Sequence, residues 1–320
     1  MSGITLRQLR AFSAIAHQSS FTRAAAKLGV SQSALTIAIR ELEAEVGLRV
    51  FDRSTRSVEL TQHGAGFLRI ADRILDEIDR ALDDLKAVAG RQRGSVVISA
   101  AASFITYVLV PAVAVMAEKY PNITVRLLEN TTTGVSRQVR DGEADIGITT
   151  FWSAEDDLET EMLLRDAFGV VVPSGHAIAQ ASGKLTWRAL KGAPLVSLPP
   201  GAGVRVLIEQ NPEVAALIKS PTYEVSSVSA LKPLIERGVG IAALPALAAR
   251  PLLDGGLVFR PLFRPTIRRE LHILKRKGRG LTPAAAQMAR IILDELHKLE
   301  LGQGTEVVAS AETIRQFEAG

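Results

Sequence analysis

A chain of 320 residues, 47% hydrophobic and 22% charged, is long enough for two or three domains. A formal charge of +4 favours a polyanionic partner. The absence of cysteine excludes a disulfide framework, a thiolate nucleophile and a cysteine-built metal site, and suits a reducing cytoplasm.

In chain order, Leu6, Leu9, Phe12, Ile15 and Ala16 follow helical spacing and predict a first helix. The short apolar stretch from Ala11 to Ala16 is too brief for the core of a signal peptide. Residues 21–43 then read as two short helices joined by a tight turn. Ala25 is small enough for a close helix crossing, Gly29 supplies a left-handed residue, and Ser31 is placed to N-cap the second helix. Leu35, Ile39 and Leu42 recur on one buried face, which turns Gln32, Ser33 and Thr36 outward. Small hydrogen-bonding side chains at a helix N-terminus suit the major groove of double-stranded DNA, although an ordinary helical hairpin has the same outline. Residues 48–60 read as a β-hairpin wing, with Arg53 and Arg56 near its tip as phosphate contacts or as a solvated turn. Residues 1–60 carry eight Lys or Arg against five Asp or Glu, the right sign for a DNA surface.

These residues carry a family resemblance. Ala24-Ala25, Ser31-Gln32-Ser33, Ile39-Arg40-Glu41-Leu42-Glu43, Gly47, Leu48-Arg49-Val50-Phe51-Asp52-Arg53 and Leu60-Thr61-Gln62-His63-Gly64 closely resemble the winged helix of LysR-type transcriptional regulators. The resemblance implies DNA contacts from Ser31, Gln32, Ser33, Thr36, Arg40, Arg53 and Arg56. Many relatives face the DNA with a basic or amide pair where this chain has Ile37-Ala38. That departure moves specificity toward DNA shape and phosphate positioning.

Residues 62–90 predict one long helix. Phe67, Ala71, Ile74, Ile78, Ala81, Leu85 and Val88 alternate steps of four and three, which keeps an apolar seam on a charged helix. The seam fits dimerisation, the alternative being packing within its own domain. In LysR-type proteins this helix pairs two chains, so the resemblance implies a homodimer or homotetramer, with RNA polymerase as a further partner. Gly90-Arg91-Gln92-Arg93-Gly94 reads as a hinge.

Beyond residue 94, strands alternate with helices: strands at 95–99, 123–128 and 145–149, with helices at 104–119 and 134–141 between them. This argues for parallel βαβ units. A second set of strands at 168–172, 195–198, 223–225, 241–244 and 257–259 is followed by a strand at 270–275 and a helix at 283–300, a return to the first lobe. The longest apolar run, Tyr107 to Ala117, contains Pro111 and is far short of the ~20 residues of a membrane helix. The expected architecture is therefore α/β. An N-terminal winged helix-turn-helix (4–61) and a linker helix (62–90) precede a two-lobed, periplasmic-binding-protein-like sensor domain (94–300), with a loosely held tail from 301 to 320. Lobe I comprises 94–163 and 265–300, and lobe II comprises 164–264. LysR-type sensor domains share this form.

Ligands of open α/β sheets bind beyond the carboxyl ends of strands, near helix N-termini. Ser103, Thr131 and Thr132 occupy such places in lobe I, and the stretches Ser197 to Gly203 and Ser226 to Ser229, with Ser197 and Ser227 as candidate contacts, in lobe II. Their hydroxyls suit a small-molecule effector carrying a carboxylate, though helix capping is the commoner use of such residues. Ser103 and Thr132 also fall where LysR-type relatives bind effectors. The five histidines are scattered, with no metal-ligand spacing, no cofactor motif and no nucleophile elbow. The basic cluster at Arg264, Arg268, Arg269, Lys275, Arg276, Lys277 and Arg279 reads as a solvated face rather than a site, the alternative being an anion-attracting role beside the cleft. The expected function is a cytoplasmic, ligand-responsive DNA-binding regulator and not an enzyme. A solute-binding or enzymatic α/β protein with an N-terminal assembly module is the alternative.

Overall fold

The computed structural model describes residues 3–53, 58–86, 94–150, 157–218, 221–299 and 301–319. The chain divides into two units, Met1–Leu85 and Lys86–Gly320.

The N-terminal unit opens with a capping box. The Thr5 hydroxyl accepts from the Gln8 N–H, and the Gln8 side chain accepts from the Thr5 N–H at 2.8 Å. Helix α1 (Leu6–Gln18) follows, then α2 (Phe21–Leu28) and α3 (Gln32–Val46). Gly29 closes α2 at φ 66° and Gly47 closes α3 at φ 70°, left-handed positions that tolerate glycine best. Strands β1 (Phe51–Arg53) and β2 (Val58–Leu60) pair antiparallel with Phe51 opposite Leu60. Helix α4 (Gln62–Lys86) completes the unit.

One core unites these pieces. Phe12, Ile15, Ala24, Ala25, Leu35, Ile39, Leu42 and Phe51 are buried in it, and Ala71 of α4 joins them. The ring of Phe12 lies 5.3 Å from Phe51 and 5.2 Å from Phe67, so an aromatic trio ties α1, the wing and α4 together. Thr61 fixes the entry to α4: its hydroxyl donates to the Arg49 carbonyl and accepts from the Gly64 N–H, both at 2.9 Å. A Cβ on Gly64 would stand 2.1 Å from the Val50 carbonyl oxygen, so only glycine permits this crossing.

The expected dimer seam is thereby divided. Phe67, Ala71 and Ile74 pack against the winged-helix core of their own chain, because a small domain needs that apolar surface to close its interior. Val88 and residues 90–93 lie outside the described residues, as do the side chains of Ala81 and Leu85.

The second unit begins with β3 (Gly94–Ala100), whose chain turns into α5 (Ala102–Phe104). That helix continues through a π-helical turn (Ile105–Leu109) into α6 (Val110–Lys119). Pro111 has no N–H to donate back along the helix, and the wide turn ends two residues before it. Phe104, Val108, Leu109, Ala112 and Met116 are buried, so this apolar helix serves the domain core. β4 (Ile123–Glu129), α7 (Thr132–Arg140) and β5 (Ile146–Thr150) follow, with β3 parallel to both β4 and β5, as crossover connections require.

The long strand β6 (Leu158–Pro173) then runs through both lobes. Lobe II contains α8 (Ala177–Gln180), β7 (Leu185–Thr186), β8 (Val196–Ser197), α9 (Gly203–Glu209), α10 (Pro212–Leu217) and β9 (Tyr223–Glu224). It continues with α11 (Val228–Glu236), β10 (Ala242–Pro245), α12 (Ala246–Ala249) and β11 (Leu257–Phe263). β12 (Arg268–Arg276) returns to lobe I, where α13 (Pro283–Lys298) covers the sheet, followed by β13 (Thr305–Val307) and α14 (Ala311–Ala319). The nine-stranded sheet has the order β4-β3-β5-β12-β6-β11-β7, with β10 and β13 also paired to β6. Val96, Ile98, Ile146, Ile273, Met288 and Ile292 lie in the core of lobe I. Phe168, Val170, Trp187, Leu195, Ile241 and Leu262 lie in that of lobe II.

Three expectations are corrected here. The strand expected at 168–172 begins at Leu158. The stretch before Phe168 carries Glu159, Arg165 and Asp166, charges that obscure an apolar pattern until β12 supplies Lys275, Glu270 and Arg269 as partners. For the same reason the basic cluster is not a uniformly solvated face, since Arg269 is 3% and Lys275 1% exposed. The tail from residue 301 is also held. β13 pairs with Leu164–Asp166 of β6, Ile314 and Phe317 enter the lobe I core, and Arg290 donates to both carboxylate oxygens of Glu318.

Candidate functional site

In the N-terminal unit the polar start of α3 is built by its cap. The Ser31 hydroxyl accepts from the Ala34 N–H at 3.2 Å and lies 2.9 Å from the Ser33 hydroxyl. Gln32 and Ser33 are exposed on the first turn; the Thr22 hydroxyl donates to Gln32 Oε1 at 3.3 Å and steadies that side chain from α2. Thr36 is half-buried, and its hydroxyl donates to the Gln32 carbonyl at 3.0 Å. Arg40 is exposed one turn further on. Of the pair that departs from the family pattern, Ile37 is 55% exposed, whereas Ala38 is buried against the core. Of this pair only Ile37 therefore lies on the surface. The backbone of Arg53 ends β1, while its side chain and all of Arg56 lie outside the described residues.

In the second unit a cavity of about 130 Å³ lies between the lobes. Ser103 reaches it from α5, and Thr131 and Thr132 from the start of α7. Thr131 caps its helix, with its hydroxyl accepting from the Gly134 N–H at 3.4 Å. Thr132 faces the opposite lobe, its Oγ1 lying 2.8 Å from where a Cβ on Gly203 would stand. The absence of a side chain at Gly203 thus lets the start of α9 approach the hydroxyl. Lobe II contributes Leu198, Ala202, Gly203, Val204, Val228 and Ala248, an apolar and backbone wall.

The expected lobe II hydroxyls do not line this cavity. Ser197 donates to the Leu198 carbonyl at 3.1 Å, and Ser227 is exposed with its hydroxyl 2.9 Å from that of Ser229. Their chain neighbours Leu198 and Val228 face the cleft instead. Sequence reasoning missed Asn130, Thr149 and Thr150, which line it as well, and Arg269, for which a role beside the cleft is only the alternative reading of the sequence, lines it too. For Arg269 a signal existed: it shares the period of two with Leu271, Ile273 and Lys275, all buried on β12. Asp166 accepts from its Nε at 2.9 Å and its Nη2 at 2.8 Å, while its Nη1 stands 3.5 Å from the Ser103 hydroxyl. Among the described residues, no group of three or more His, Asp or Glu side chains could hold a metal ion.

Comparison with known proteins agrees with both units. Residues 6–65 match the bacterial regulatory helix-turn-helix family of lysR type, and residues 89–297 match the LysR substrate binding domain. The chain is 30% identical over 299 residues to an uncharacterized helix-turn-helix regulator, YfeR, of Shigella flexneri, covering 93% of this chain and 96% of that one. It is 31% identical over 289 residues to YbhD of Escherichia coli, another uncharacterized regulator of this type, covering 90% and 91%. Among solved structures, full-length OxyR from Pseudomonas aeruginosa superposes with a TM-score of 0.68 at 23% identity, covering 97% of this chain and all of that one. The LysR-family regulator CbnR in complex with its target DNA gives 0.65 at 22% identity, covering 91% and 99%. With a lysR-type helix-turn-helix, a substrate binding domain and relatives matched along nearly their whole length, this chain belongs to the LysR family of transcriptional regulators.

Proposed function

We propose that the protein binds a specific operator through the first turn of α3 and the wing, and that a small molecule in the inter-lobe cleft modulates it. The observation that supports this most directly is the exposed Gln32-Ser33 turn on a buried Leu35–Ile39–Leu42 face, within a matched helix-turn-helix. Gln32, Ser33 and Arg40 read bases and phosphates, while Ser31 orders the turn and Thr36 borders the contact. Arg53 and Arg56 touch phosphates from the wing. Ser103 and Thr132 contact the effector, and Thr131 acts as the cap that presents Thr132. The protein works in the cytoplasm as a homo-oligomer, joined through the distal part of α4, and in contact with RNA polymerase. There Ile78 is half-buried and Leu82 is 45% exposed, both outside the winged-helix core. No catalytic role is assigned.

The test is a gel shift with the DNA upstream of the protein's own coding sequence, at a stated salt concentration. Gln32→Ala and Ser33→Ala are each expected to cost about 1–3 kcal/mol in specific binding, with an unchanged melting temperature. Wild-type affinity and sequence preference in both variants would refute this contact surface.

A further inference from the structure

Arg269 is almost wholly buried, yet it borders the cleft. Asp166 grips its Nε–Nη2 edge from β6, and the same carboxylate accepts from the Leu247 N–H at 2.9 Å. The guanidinium is therefore held from behind, with Nη1 turned toward Ser103. Such a bidentate grip sets orientation as well as charge.

Among the described residues that line the cavity, Arg269 alone is charged, and Asp166 balances it. Ser103, Thr132, Thr149 and Thr150 line the same cavity, and the helices beginning at Ala102 and Thr132 start at its wall. The partial positive charge of helix starts favours an anion there. One negative charge finds donors, whereas a second would be desolvated without a cation. The opposite wall of Leu198, Ala202 and Val228 is apolar. At about 130 Å³, the space is well below the roughly 300–1,000 Å³ of sites for drug-sized ligands.

We infer that the cleft selects a compact aliphatic monocarboxylate, with Arg269 as the specificity-determining residue. The carboxylate meets Arg269 Nη1, Ser103 and Thr132, and the short carbon chain meets the apolar wall of lobe II. This rests on the reading of the cleft as an effector site. Selection against dicarboxylates follows from charge, and the small volume beside an apolar wall favours a short aliphatic chain.

The experiment is calorimetric titration of the full-length protein with acetate, propionate, lactate and pyruvate, against propionamide, malonate, succinate and benzoate. At least one monocarboxylate is expected to bind roughly tenfold or more tightly than the amide, the dicarboxylates and benzoate. Ser103→Ala is expected to weaken that acid severalfold. Combining Arg269→Gln with Asp166→Asn keeps a hydrogen-bonding pair without its charges, and is expected to erase the preference for acid over amide. Should that pair fail to fold by circular dichroism, the wild-type ranking and Ser103→Ala still decide. A preference for an amide, a dicarboxylate or benzoate, or no binding of any monocarboxylate, overturns the inference. A gel shift on the same samples separates the two readings. Intact specific DNA binding with the wrong ligand ranking defeats the monocarboxylate alone, and absent specific DNA binding defeats the regulator.

Discussion

His272 shows how one residue can mark the state of the whole sensor domain. It lies on β12 between the buried Leu271 and Ile273, and desolvation holds its pKa below the usual 6.5. Glu270 opposes that shift and Arg165 adds to it. Above pH 6.5 both folded and unfolded chains keep this histidine neutral, so it contributes no slope. Below that value the unfolded chain takes up a proton that the folded chain resists, and stability falls until the depressed folded pKa is passed. Urea midpoints measured across this range should therefore decline on the acid side. His272→Gln should remove that part of the decline while leaving the slope due to carboxylates at lower pH. Equal slopes in both proteins would show that His272 is protonated as readily in the fold as outside it. Asp166 makes a related point about legibility. Alone in its segment it reads as a surface carboxylate, and it is buried because Arg269, 103 positions further on, pairs with it.

At the scale of elements, helical periodicity locates an apolar face but does not name its partner. Phe67, Ala71 and Ile74 on α4 meet their own domain, whereas Ile78 and Leu82 lie beyond that core. Ile78→Asp should therefore leave the melting of the winged helix near that of the wild type. In sedimentation it should shift the protein to smaller species, since an apolar interface would have to desolvate an unpaired charge. An unchanged mass would place the dimer contact elsewhere. The C-terminal elements make the opposite case. Residues 301–319 show little apolar period, yet Phe317 is buried and carries the Lys275 ammonium 5.3 Å from its ring centre. Phe317→Ala should cost about 3–5 kcal/mol of sensor-domain stability, the usual range for an aromatic truncated in a core. A loss under about 1 kcal/mol, as for a surface site, would mean that α14 is dispensable.

For the whole molecule, regulation is a matter of linkage. A ligand changes DNA affinity only if it prefers one state of the assembly, and DNA must then change ligand affinity by the same factor. A coupling of ~1–3 kcal/mol is typical. Thr132→Val keeps the shape of the side chain and removes the hydroxyl that faces Gly203. It should blunt the effect of a bound ligand on the DNase footprint while sparing the footprint without ligand. A variant footprint that shifts as far as that of the wild type would reduce Thr132 to a bystander beside the Thr131 cap.

Taken alone, the sequence determined what depends on neighbours along the chain. The Ser31 cap, the left-handed Gly29 and Gly47, the Leu35–Ile39–Leu42 face and the βαβ rhythm of lobe I are all local, set by backbone geometry and side-chain period. Ser103 and Thr132 were legible at the cleft for the same reason, since strand ends and helix starts are sequence features. Only the tertiary structure decided which half of α4 serves its own core, that β6 runs through both lobes, and that the tail is a strand and a helix. It also exchanged Ser197 and Ser227 for Leu198 and Val228 at the cleft, and buried Arg269 there. Each of those outcomes depends on a partner brought from far along the chain. A charge becomes an interior residue only when its counter-charge and hydrogen-bond donors arrive with it.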